Sequence, residues 1–165
     1  MERNEVYAAL TEAELAGKFH WIIYVAKGKR TGHKIHATTN GNTTPWQFEA
    51  KSWDGPSSVA AVAFLKIGHI ADDADYSHLV RCVEDIPMSI PENQRARESK
   101  FTCRVWFKEA IRTLNEIGLF VKCDDVDALE AELIQKTSAA QYLRGGGEGS
   151  RKVLTAVAKK AEAWS

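Results

Sequence analysis

Phe19-His20-Trp21-Ile22-Ile23-Tyr24-Val25-Ala26 decides the fold: the stretch is β-branched and aromatic almost throughout and is too short for a helix. A strand is expected here, ending at the turn-forming Lys27-Gly28-Lys29-Arg30-Thr31-Gly32. His33–Thr38 is then its hairpin partner, and the Asn40-Gly41 step sends the chain back into a third strand, Trp46–Trp53. Three successive antiparallel strands follow.

Upstream, Tyr7–Leu15 mixes Thr11 and two glutamates with alanine and leucine, which suits a short helix or an arm. Downstream, Val59–Ile70 is ambiguous, its alanines favouring helix and its Val, Phe and Ile a strand; strand is preferred. Tyr76, Leu79, Val80 and Val83 predict a helix within Asp72–Asp85, stopped by Pro87. A polar connector, Met88–Lys100, leads to the clearest helix, where Cys103, Trp106, Phe107, Ala110, Ile111 and Leu114 share one face and Gly118 closes it. Arg104, Lys108, Glu109 and Arg112 on the other side are expected in solvent. A last helix runs from Asp125 to Arg144 with acidic residues at its start. Gly145–Ser150 reads as a flexible linker and Arg151–Ser165 as a helical or disordered tail. The expected fold is α+β, an antiparallel sheet of about four strands with helices packed on one face, as one catalytic-type domain over residues 1–144.

Composition narrows the function classes. With 44% hydrophobic residues the 165-residue chain can bury one core, and 22 basic against 22 acidic residues give no field for nucleic acid or an anionic membrane. No stretch is apolar enough to span a bilayer and the start, Met1-Glu2-Arg3-Asn4-Glu5, is charged, so a cytoplasmic protein without stable membrane insertion is expected. Cys82, Cys103 and Cys123 are odd in number and form no CxxC pair, which points to reduced thiols and no structural zinc. Asp72, Asp73 and Asp75 lack the glycine and distal glutamate of a calcium loop. No metal or cofactor is expected, and the partner is a small-molecule substrate.

A thiol becomes a nucleophile when helix N-terminal amides and an imidazole favour its thiolate. Cys103 opens its helix. Of five histidines, His20 sits inside an apolar strand, where it needs a partner, and His36 lies on the neighbouring strand. Cys103 as nucleophile, His20 as base and His36 as the group that orients the base fit a thiol triad. Trp21, Tyr24, Trp46 and Trp106 are the candidate walls of an apolar substrate pocket. His33, His69 and His78 read as surface residues. The plain alternatives are a buried structural Cys103 and a His20 bonded to backbone.

Phe19-His20-Trp21-Ile22-Ile23-Tyr24-Val25, with Lys34-Ile35-His36-Ala37 after the turn and Thr102-Cys103-Arg104-Val105-Trp106-Phe107 later, resembles the lecithin retinol acyltransferase family. That resemblance implies a permuted papain-like fold in which Cys103 attacks, His20 is the base and His36 the third residue. Thr102 stands where that family carries Asn. The Cys-Arg-x-Trp helix is also similar to that of uncharacterised small fungal proteins. The function expected is a cysteine-dependent hydrolase or acyltransferase acting on an ester, amide or thioester. A non-covalent binding protein, or an isomerase or cyclase of secondary metabolism using His as acid and base, is the rival. A docking module built on Arg151–Trp164 is a third class.

Overall fold

Val6, Ala8 and Leu10 are buried on one side of an extended segment, and Tyr7 and Ala9 on the other. Burial on both faces belongs to the middle of a sheet. Glu5–Glu12 is strand β1, flanked by β2 (Phe19–Ala26) and β5 (Ala61–His69), both antiparallel to it. Up to Glu12 this corrects the helix or arm expected over Tyr7–Leu15, of which Glu14 and Leu15 lie outside the described residues: small alanines let both faces pack closely, and that burial outweighs their helix propensity. The computed structural model describes residues 1–13, 18–42, 45–71, 74–117, 123, 125–145 and 153–155.

β3 (Gly32–Thr38) and β4 (Gln47–Trp53) extend the sheet as the hairpin signals predict. An open five-strand antiparallel array results, and Val153–Thr155 adds a short parallel strand, β6, beside β5, for an order β4-β3-β2-β1-β5-β6. Those three residues are extended, not the helix or disorder read for the tail. Gly118, Asp72, Asp73, the 146–150 linker and the rest of the tail lie outside the described residues.

Three helices complete the α+β fold. α1 (Tyr76–Val83) starts where the amide of His78 donates to Asp75 Oδ1 at 2.8 Å; α2 (Cys103–Glu116) starts where the amide of Val105 donates to Thr102 Oγ1 at 3.4 Å; α3 is Val126–Gly145. α2 packs on β2 and β3, α3 on β5, and α1 on α2, so the helices gather on one face. There Trp106, Phe107, Ile111 and Leu114 meet Trp21, Ile23, Ile35 and Leu65, each such side chain contributing about 1.5–3 kcal/mol by leaving water. Tyr7, Ile22, Tyr24 and Phe64 form a smaller cluster on the opposite face.

One side of α2 departs from expectation. Lys108 is 2% exposed, its ammonium 2.6 Å from Asp127 and 2.7 Å from Glu130 of α3, while Arg104 bridges Glu98 and Glu130. The charged face expected in water is instead the seam on which α3 docks, because Asp127 and Glu130 supply the counter-charge. No helix among the described residues is long and apolar enough to cross a membrane.

Candidate active site

β2 and β3 pair only over Ile23–Ala26 and Gly32–Ile35, so the first half of β2 has no ladder with β3. The start of α2 meets β2 at this interruption. The backbone amides of Trp21, Cys103 and Arg104 all hydrogen bond toward the Cys103 sulfur. Thr102 is the cap of α2, a task that Asn also performs well, so the Thr in place of Asn keeps the local geometry. Burial is the larger influence on the thiol: Cys103 is 7% exposed, and its pKa is raised despite the three amides and the Arg104 charge. The lowered thiolate pKa expected from helix position alone is therefore not what the free protein holds.

His20 and His36 come together. His20 Nε2 lies 2.5 Å from His36 Nδ1, with the rings edge to face, and His36 Nε2 lies 2.8 Å from Glu49 Oε1. His36 and Glu49 are direct cross-strand neighbours on β3 and β4. Burial works to raise the Glu49 pKa, but hydrogen bonds from Lys51, His36 and Lys34 outweigh it and hold the carboxyl at about 2. The carboxylate can only accept, so His36 Nε2 carries the proton. His36 Nδ1 then accepts from His20 Nε2–H, which leaves the lone pair of His20 on Nδ1. Burial, reinforced by the neighbouring His36 and Lys34, pushes His20 down to about 4; burial likewise puts His36 at about 4, with Glu49 pulling the other way. Both rings are neutral near pH 7.

His20 and Cys103 line one open cavity of about 560 Å³. Among the described residues no hydrogen bond joins His20 to Cys103. Of the expected aromatic walls, Trp21 and Trp46 line this cavity, and Trp46 is braced edge-on by Phe101 at 5.6 Å. Tyr24 and Trp106 do not: Tyr24 is buried in the cluster on the opposite sheet face, and Trp106 is fully buried beneath Phe48. His33 is not a free surface residue either, since it stacks on Tyr76 at 3.9 Å, whereas His69 and His78 are exposed.

Sequence reasoning missed Glu49, Lys18, Lys100 and Ile134. The signal for Glu49 was available: the turn at Asn40-Gly41 sets a register that puts it opposite His36. The others reach the cavity from a hairpin end, a loop and α3, which no periodicity in the chain announces.

Residues 6–121, which include His20, His36, Glu49 and Cys103, match the model of a family described as a family of unknown function (DUF6540). No curated protein and no solved structure matches the chain. The matched segment takes in β1 to β5, α1 and α2, well over half of the chain, and the protein therefore belongs to the DUF6540 family of unknown function.

Proposed function

We propose that the protein is a cysteine-dependent acyl hydrolase or acyltransferase of permuted papain-like arrangement, with Cys103 as nucleophile, His20 as base and His36 as its orienting partner. The observation that carries this reading is the chain Glu49–His36–His20, which leaves Nδ1 of His20 unprotonated on a residue that lines the same cavity as Cys103. With thiol and imidazole both neutral at rest, the pair works by general-base catalysis. As the Cys103 sulfur attacks the acyl carbon, its proton passes to His20 Nδ1, and the new imidazolium is stabilised through His36 by the Glu49 carboxylate. Amides at the start of α2 stabilise the oxyanion. On collapse the C–O, C–N or C–S bond to the leaving group breaks, and that group takes the proton from Nδ1. Water or an acceptor then releases the acyl group from the Cys103 thioester. The three cysteines are free, as a reducing cytoplasm would keep them.

The test is the rate of iodoacetamide labelling at each cysteine, read by mass spectrometry on wild type and His20→Ala. Cys103 is expected to label at pH 7 at least about tenfold faster than in the variant, with Cys82 and Cys123 unaffected. Equal rates at Cys103 in the two proteins would overturn the mechanism.

The raised Cys103 pKa and its lack of a hydrogen bond to His20 favour one rival, a non-covalent pocket in which His20 alone acts as acid and base. Under that reading an ester or thioester panel leaves no acyl adduct on Cys103 and Cys103→Ala keeps the activity.

A further inference from the structure

The cavity beside Cys103 has an uneven lining. Its walls are Phe19, Trp21, Trp46 and Ile134, and Ile134 is 39% exposed, so an apolar surface faces the opening. Among the described lining residues the charges do not cancel. Arg104 is committed to Glu98 and Glu130, and Glu98 is in turn satisfied by Arg104. Lys18 and Lys100 also line the cavity, both are exposed, and neither forms an ion pair among the described residues. The chain as a whole has no net charge, so this local excess of two positive charges does not follow from composition. Among the described lining residues the one acid, Glu98, is paired with Arg104, and the thiol and the His20 ring are uncharged at rest.

Resting on the reading of Cys103 and His20 as the reacting pair, we infer that the substrate is an amphiphilic anion. It is an ester, amide or thioester with a flat apolar body that lies against Trp46 and Ile134 and a carboxylate or phosphate that sits between Lys18 and Lys100. The aromatic walls set shape and the lysines set orientation, holding the acyl carbon at the sulfur by its two ends. A long-range attraction of this kind also speeds encounter at low salt.

Cys103 serves as its own reporter. Iodoacetate and iodoacetamide have nearly one size and differ by a charge, and their rates at Cys103 are compared in wild type and in K18E/K100E, both substitutions at exposed positions. The iodoacetate-to-iodoacetamide ratio at Cys103 is expected to fall about fivefold in the variant at low salt, and the ratio at Cys82 to stay put. An unchanged ratio at Cys103 overturns the anion site. In a second arm, naphthalene-2-carboxylate and naphthalene-2-carboxamide compete with iodoacetamide for wild type and Trp46→Ala. The carboxylate is expected to protect Cys103 at lower concentration than the amide, and Trp46→Ala to weaken protection by both. Equal protection by the two compounds, or none, overturns the amphiphile. Failure of the catalytic reading looks different: the iodoacetamide rate ignores His20→Ala while the charge ratio remains measurable.

Discussion

Glu49 ends a chain of hydrogen bonds that begins at His20 Nε2, and its charge is felt when His20 takes a proton on Nδ1. Glu49→Gln keeps an acceptor for His36 but removes that charge. The expected result is a turnover loss of about tenfold with KM nearly unchanged, and an acid limb moved below its wild-type position, because the carboxylate raises the His20 pKa. A pH–rate profile checks both. The same two rings make stability depend on pH. Their folded pKa of about 4 lies below the ordinary value of 6.5, so between those values the unfolded chain binds more protons and stability falls as pH drops. Urea midpoints at pH 7 and pH 5 should show it, and His36→Asn should flatten the difference. Residue by residue, the sequence was legible where chemistry is scarce. A histidine in an apolar strand and a cysteine opening a helix stand out, and the structure brings both to one cavity. Glu49 does not stand out, because with Gln47 and Lys51 on the same face of an edge strand it looks like any solvent-facing residue. Trp21 and Tyr24 cannot both wall one pocket, because they are three apart on a strand, a spacing that sends them to opposite faces.

At the level of elements, α2 is held by apolar burial below and by charges at its flank. Lys108→Met keeps length and apolar volume but takes the ammonium from Asp127 and Glu130, which keep Arg97 and Arg104, and a loss of about 1–2 kcal/mol in urea unfolding is expected. The double change with Glu130→Gln should lose less than the sum of the single changes, since it removes partners together. The β2–β3 hairpin has its own tight point. A Cβ on Gly32 would stand 2.3 Å from the Val25 carbonyl oxygen and 2.5 Å from the Tyr24 ring, so Gly32→Ala should cost about 2 kcal/mol by calorimetry. β2, β3, β4 and α2 were readable because period and turn residues agree there. β1 was not, because alanine on both faces of a central strand gives no alternation to read. The seam between α2 and α3 was hidden for another reason, since a charged helix face reads as solvated until the acidic face that meets it is known.

For the whole molecule, the sheet order carries the main expectation. β6 covers the outer edge of β5 over Phe64–Lys66, so a chain ending after Gly145 uncovers backbone that is paired in the full protein. Hydrogen exchange at β5 should accelerate in that truncation while Cys103 keeps its reactivity; loss of reactivity would point instead to a tail that completes the site. The order of strands also sets a timetable for a chain growing from its N-terminus. The relay lies wholly within β2, β3 and β4, whose pairings are local and can close once residue 53 is available. The thiol belongs to α2, which is made some fifty residues later and docks onto strands already in place. The proton acceptor is thus built from local pairings alone, and the Cys103 thiol, whose pKa burial raises, meets its base only when α2 docks.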